Sequence, residues 1–458
     1  MVCTYGGVYL LVRSHWWPVV GCGLVVFMAT LDTSIVAVAL PVLERDFGVP
    51  TAATEWVVLG YLLPLVALTL PAGRWLDRTG PRAALLAAVA GFALASAAAG
   101  LAPALGWLVA ARLAQGAFAG LLFAVVPLVV VRSVPEGAAG RASALVMTLG
   151  PLGAVSGPPL GGLIVEFWGW PWIFYINLPA AALVAAIALA ALPPDAPRRP
   201  GRDVAGEAAL LGGAAAALLV SLSFTASHGP GWLALAPAAV PFLAVWWRTA
   251  ASRPVRALAR TPAAGPIAAV LLNALAISLV EFLAPFYLQR TLGLSALGTA
   301  GAILAMPVAM VLGGPVGGVL ADRWSAARAA VLGLAVAGAG GLSLVFADAG
   351  WRPADLAWRL ALIGLGTGLF AGPNFAAIMS GAPAGLQGGA GAAQSLARQL
   401  GFALGPALAT AVWASADYSA GGLRGAFAVG AVATLAALPA CARDFPLRKV
   451  RATFLSGK

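Results

Sequence analysis

Polar positions are so sparse along this chain that they mark it off into segments. Apolar runs fall at about 17–40, 54–73, 83–101, 104–131, 141–165 and 170–192, and two shorter ones follow at 207–226 and 231–247. Six more come at about 262–288, 296–320, 327–347, 355–379, 388–414 and 422–441. A helix of roughly 20 apolar residues spans a bilayer core, and only internally hydrogen-bonded segments are stable in lipid. The pattern therefore predicts an all-α integral membrane protein of fourteen helices. They comprise a six-helix bundle (residues 1–192), an inserted hairpin (about 207–247) within a linker and basic loop (193–260), and a second bundle with a tail (261–458).

Composition agrees. The chain is 61% hydrophobic and 9% charged, with mean hydropathy +0.94, against about 25% charged residues in soluble domains. Lipid must be its solvent. The net charge of +11 raises nucleic acid as a partner, but the basic residues lie in short segments between apolar runs rather than on one folded face, which excludes it. With the N-terminus taken as cytoplasmic, 20 of the 27 basic residues fall in loops and tails on that side. Five fall outside (Arg45, Arg290, Arg352, Arg359, Arg424), and Arg112 and Arg398 lie within helices. That asymmetry is the positive-inside rule, and it makes both termini cytoplasmic. Cys3, Cys22 and Cys441 are scattered and His15 and His228 are far apart, so neither a disulfide framework nor a metal site is expected. Met1 to Val12 is apolar and short, either an interfacial tail or a start placed too far upstream. No cleavable signal pattern begins the chain.

The chain repeats itself. Gly48, Gly73, Asp77 and Arg78 recur as Gly293, Gly318, Asp322 and Arg323, each 245 residues on, and RLAQGAFAGLLFA from Arg112 is echoed by RLALIGLGTGLFA from Arg359. Two like-oriented halves with a substrate path between them is a recurrent transporter plan. The hairpin, read as free of interior charge, is expected to pack outside that path.

Few charges enter the runs. Asp32 lies deep in the first, within LDTSIVAVALP, where a carboxylate costs about 2.5–3.5 kcal/mol to insert and so is kept for use. Arg112 lies inside the fourth and needs a partner or a water-filled cavity. Glu281 is read as the only other acid within a helix, four residues beyond Asp32 by the repeat. It is expected to face the same cavity from the other half, carrying a proton or selecting cations. GRWLDRTGPR at 73–82 joins the second and third runs, and its partial repeat predicts a gate latch of Gly73, Asp77, Arg78, Asp322 and Arg323. In GPLGAVSGPPLGG, Gly153, Gly157 and Gly161 form one smooth face, and with Pro158 predict a hinged interface between the halves.

These motifs, in this order, resemble the fourteen-helix drug:proton antiporter branch of the major facilitator superfamily over residues 16–441. LDTSIVAVALP is similar to its first-helix motif, GRWLDRTGPR to its loop signature, RLAQG to its proton-transfer motif and SGPPLGG to its antiporter motif. WPWIFYINLP, YLQRTLG, SLARQLG and the GPGW turn fit other helices. Ala37 stands where the family has Asn, and Pro171 where it has Arg. The resemblance implies alternating access, proton antiport and export of hydrophobic or amphipathic compounds such as drugs or antibiotics, with one endogenous metabolite as the alternative cargo. Asp32, Glu281 and Arg112 would then couple protons. Gln115, Tyr175, Asn177, Asn273, Gln394 and Arg398 would line the substrate cavity. The proton gradient, with no cofactor, would drive a monomer in a bacterial-type plasma membrane. A channel would need a filter or charged ring and an enzyme a cluster of reactive groups; neither pattern is present.

Overall fold

The computed structural model describes residues 16–76, 80–134, 139–195, 201–383 and 385–442. Asp77, Arg78, most of the linker at 196–200 and both tails lie outside the described residues. The long helices are α1 (Trp17–Phe47), a single turn α2 (Thr51–Thr54), α3 (Trp56–Leu76), α4 (Pro81–Gly100), α5 (Leu105–Ser133) and α6 (Ala139–Trp168). The short α7 (Trp172–Tyr175) then leads into α8 (Asn177–Ala191). The hairpin is α9 (Arg202–His228), a tight 3-10 segment (Pro230–Ala238) and α10 (Ala239–Arg248), followed by a short α11 (Arg253–Leu258). The rest is α12 (Ala264–Phe286), α13 (Ala296–Ile303), α14 (Ala305–Arg323), α15 (Ala326–Leu344), α16 (Pro353–Gly381), α17 (Gln387–Ala414) and α18 (Ala420–Ala442).

Twelve of these segments are long and apolar enough to cross a membrane, the two arms of the hairpin included. Helices α6 and α17, of 30 and 28 residues, are as long and pack against α1 and α12 respectively.

The repeat is visible in the turns. Gly48 and Gly293 adopt φ of 62° and 69°, a left-handed conformation that glycine enters without a Cβ clash. Gly48 ends α1, and Gly293 follows the π-turn Tyr287–Thr291 at the end of α12. Packing repeats as well: α1 lies along α6 and α3 along α5, while α12 lies along α17 and α14 along α16. Across the seam, α3 meets α17 and α6 meets α13.

The largest hydrophobic cluster draws on both halves at the end marked by Gly48 and Gly293, joining Ile35, Leu43, Val57 and Trp170 to Phe282, Phe286, Ala300 and Trp413. A separate cluster at the opposite end, around Leu258, Leu334, Ile378 and Cys441, comes from the second half and the basic loop before it, with no residue of the first half. The halves are thus packed together toward the Gly48 end.

The hairpin differs from expectation. Glu207 is buried within α9 and accepts a hydrogen bond from Trp246 Nε1 at 3.0 Å. Helix α9 packs on both α3 and α17, so this arm lies over the seam, while the arm at 230–248 is almost wholly exposed. The expectation rested on the absence of interior charge, and Glu207 is such a charge.

Candidate functional site

Four long helices converge on Asp32. Its side chain is sealed, with the residue 1% exposed. Arg112 Nη1 donates to Oδ2 at 2.5 Å, and Gln115 Nε2 and Asn177 Nδ2 each donate to Oδ1 at 2.8 Å. Arg112 and Gln115 share one face of α5 because residues three apart in a helix are neighbours. Nη1 also donates to Gln115 Oε1 at 2.7 Å, and Nε donates to the Val57 carbonyl at 2.9 Å. That last bond depends on a glycine. A Cβ at Gly116 would lie 2.0 Å from the Tyr61 carbonyl, so only glycine lets α5 approach α3 closely enough. Ser96 on α4 completes the set, its Oγ accepting from Gln115 at 2.8 Å and Asn177 at 3.3 Å. The guanidinium also stacks on the Tyr61 ring at 4.3 Å and faces Phe174 at 5.8 Å.

A buried ion pair is tolerated when geometry and additional hydrogen bonds offset desolvation. Here the carboxylate receives three donors, and each is itself tied to a neighbour.

The structure brings together Asp32, Arg112, Gln115 and Asn177, and none of the other predicted residues among those described joins this hydrogen-bonded cluster. Asp32 points into its own half rather than across the seam, because its partners are on α5 and α8. Glu281 does face the seam. It lines a cavity of about 30 Å³ with Thr33, Ala37, Val58, Leu62, Ser278, Phe282, Phe402 and Pro406, room for water but not for a drug. Asn273 is buried with Oδ1 unpartnered, as is Gln394 Oε1. Arg398 is exposed on α17. Tyr175 stands apart, its ring edge-on to Trp172 and against Gly100.

The glycine face of α6 also differs from expectation. Cβ atoms at Gly153 and Gly157 would meet Thr30 and Ser34 of α1, and one at Gly161 would meet Ile35. The stripe therefore seats α6 on α1 within one half, and the helix runs unbroken through Pro158. The contact across the seam comes from the next glycine, Gly162, against Ala296, Leu297 and Ala300. Asp322 and Arg323 are exposed at the end of α14 and make no ion pair among the described residues.

Several site residues escaped the sequence reading. Ser96 is a lone hydroxyl in an alanine-rich run, and that isolation is its only signal. Arg290 was counted as an ordinary outside charge. It pairs with Glu44, donates to Thr51 Oγ1 at 2.8 Å and stacks between Phe286 and Trp413 at 5.0 and 5.4 Å. Gln289 Nε2 donates to the Val38 carbonyl at 3.2 Å. Together these tie α12 to α1 and α2 across the Gly48 end.

Against known proteins, the family profile described as the Major Facilitator Superfamily matches residues 22–406. The tetracenomycin C resistance and export protein of Streptomyces glaucescens is 33% identical over 93% of this chain and 84% of its own length. The multidrug resistance protein Stp of Mycobacterium tuberculosis is 31% identical over 88% and 77%. Among solved structures, an inward-facing, occupied bacterial homologue of the human lysosomal transporter Spinster superposes with TM-score 0.68 at 14% identity, covering 93% of this chain and 96% of that one. At that identity the likeness concerns the fold.

Proposed function

The chain belongs to the major facilitator superfamily, and on that premise we propose that it is a proton-coupled antiporter exporting hydrophobic or amphipathic small molecules by alternating access. The observation that carries the reading is the buried Asp32–Arg112–Gln115–Asn177 cluster, an ion pair held inside one half with both side chains at most 1% exposed. The two like-packed halves supply the rocking bodies, and the Arg290–Glu44 and Gln289–Val38 contacts supply the closed gate at one end. The proton gradient is the energy source. Asp32 carries the coupling proton, Arg112 holds it ionised between transfers, and Glu281, Asn273, Gln394 and Arg398 contact cargo. Gly73, Asp77, Arg78, Asp322 and Arg323 form the latch at the other end. The fourteen-helix count includes α6 and α17, and the protein sits as a monomer in a bacterial-type plasma membrane with both termini cytoplasmic.

A second reading narrows the cargo to one endogenous metabolite. The resistance-and-export relative from Streptomyces glaucescens favours it.

The test is exchange in liposomes. Purified protein with an inward-directed proton gradient should drive efflux of an amphipathic fluorescent compound and acidify the lumen in proportion. Cargo movement that ignores the gradient and moves no protons would exclude antiport. A panel of unrelated compounds all moved at similar rates would favour the multidrug reading over the dedicated one.

A further inference from the structure

Glu55 is the most enclosed acid in the described chain that the transport reading leaves unused. It sits between the single turn α2 and the long α3 and is 0% exposed. Neither carboxyl oxygen has a hydrogen-bond partner. The sequence pattern hid it, because it falls at the edge of an apolar run and reads as a boundary residue.

Its surroundings come from three separate parts of the molecule. The hydroxyls of Ser223 on hairpin helix α9 and Thr410 on α17 approach it, as does the Tyr418 phenol from the turn after α17. None of these is a counter-ion. Ser223 Oγ accepts from Trp56 Nε1 at 2.8 Å, and Thr410 Oγ1 donates to the Pro406 carbonyl at 3.0 Å.

The charged and titratable groups of the neighbouring elements are committed elsewhere or set apart. Arg112 is on Asp32, Arg290 is on Glu44, and Glu281 lines the small cavity beyond Val58. At the end of α9, His228 stacks against Phe224 and Trp232. Asp417 is exposed in the turn before Tyr418. A carboxylate sealed from water with no counter-ion is costly to bury, and only hydroxyl groups stand beside this one.

We propose that Glu55 is a proton-binding site that locks the Gly48 end, occupied while α3, α9 and α17 are packed together and vacated when they part. On closure the carboxylate takes one proton from bulk water at that end, forming one O–H bond. On opening it returns that proton to the same side. The site thus senses pH at one face and makes the hairpin part of the gate. It is separate from the coupling proton at Asp32. The inference rests on the alternating-access reading.

Spin labels at Leu101→Cys and Ala349→Cys, both at the Gly48 end, report the separation of the halves by pulsed dipolar spectroscopy, without any cargo. From about pH 5 to about pH 9, the range in which buried carboxyl groups titrate, the long-distance population should grow several-fold in the parent. Glu55→Gln, which mimics the protonated acid, should hold the short distance throughout. Glu55→Met repeats the test with an apolar mimic should the amide fail to pack. A parent insensitive to pH, or either variant responding like the parent, overturns the proposal. So does loss of the response in Glu281→Gln with Glu55→Gln unchanged. Failure of cargo export in liposomes with the pH response intact would remove the exporter reading and leave the lock standing.

Discussion

The two halves share one joint and differ in what they have built around it. In the first, Thr30 and Ser34 of α1 donate to the Gly150 and Gly153 carbonyls of α6, at 3.0 and 3.4 Å. In the second, Ser278 of α12 donates to the Gly401 carbonyl of α17 at 3.3 Å. A Cβ at Gly157 would fall 1.8 Å from Ser34 Oγ, and one at Gly405 would fall 1.9 Å from Ser278 Oγ. The scaffold is therefore the same. The charges are not. Arg112 has a sealed carboxylate, whereas its repeat Arg359 donates to the Asp355 carbonyl and stacks on Trp351 and Trp358 at 3.8 and 4.2 Å. The positions facing it by repeat are apolar: Ile277 for Asp32 and Leu362 for Gln115. Polar atoms of the second half stay unpartnered at Asn273 and Gln394, and Arg398 is exposed. The arginine of the first half is held by a carboxylate, and its counterpart in the second donates to a backbone carbonyl instead. Unpartnered polar atoms occur in both halves, at Tyr61, Asn177 and Glu55 in the first and at Asn273 and Gln394 in the second, so the contrast lies in the paired charge.

The sharpest way to break this contrast is to remove each arginine. Arg112→Leu strands a buried carboxylate, and losing one partner of a buried pair costs about 3–5 kcal/mol. Arg359→Leu loses a backbone bond and a stacked cation, about 1 kcal/mol. Thermal denaturation in detergent should therefore drop far more for the first, and equal drops would erase the distinction. Asp32→Asn keeps the shape and should abolish proton-coupled efflux; unchanged efflux at matched expression would remove Asp32 from the mechanism.

The common joint predicts symmetry where the charges predict none. Gly157→Ala and Gly405→Ala both push a methyl into a serine hydroxyl and a neighbouring backbone nitrogen, and overpacking of this kind costs about 1–3 kcal/mol. Both variants should lose similar stability by the same denaturation assay. A tolerated alanine at either site would mean that the two helix pairs are not equivalent.

How much of this could be read beforehand follows from which signals are local. Apolar runs gave most of the helices to within a few residues, since lipid imposes a length on each. Helix α1, however, continues to Phe47, seven residues past its run, and the run at 231–247 begins as a 3-10 segment. The Asp32 and Arg112 positions stood out because a charge in such a run is rare. Their mutual contact did not, because the two lie 80 positions apart and only the packing of α1 on α5 brings them together. The glycine stripe announced a close helix contact without saying which helix, and α1 was its partner rather than the other half. Glu55 and Arg290 were missed for one reason. Both lie at run edges, where charge is ordinary, and only tertiary packing shows that one is buried and the other spans the seam.

A smaller contrast lies within the second half, between Glu281 and the closed gate. Glu281→Gln should remove export of cationic compounds while leaving neutral ones, because the residue is the acid lining the cavity at the seam. Efflux measured with a matched cationic and neutral pair decides this, and equal loss of both would make the residue structural.

The weakest effect should come from the gate itself. Arg290 and Glu44 are partly exposed, at 35% and 18% for their side chains, and pairs in such settings are worth about 0.2–1 kcal/mol. Arg290 also stacks on Phe286 and Trp413, so Arg290→Gln removes more than the ion pair, whereas Glu44→Gln removes only the charge. Glu44→Gln should therefore shift the balance of the halves toward opening at the Gly48 end by less than about fivefold, a change of 1 kcal/mol. Arg290→Gln should shift it further. The same spin-labelled pair at Leu101 and Ala349 reads both. Salt screens the exposed ion pair and not the stacking, so the parent should approach the Glu44→Gln behaviour as ionic strength rises. Should Glu44→Gln instead open the end more than Arg290→Gln, the closed face would be held by the carboxylate through contacts other than Arg290.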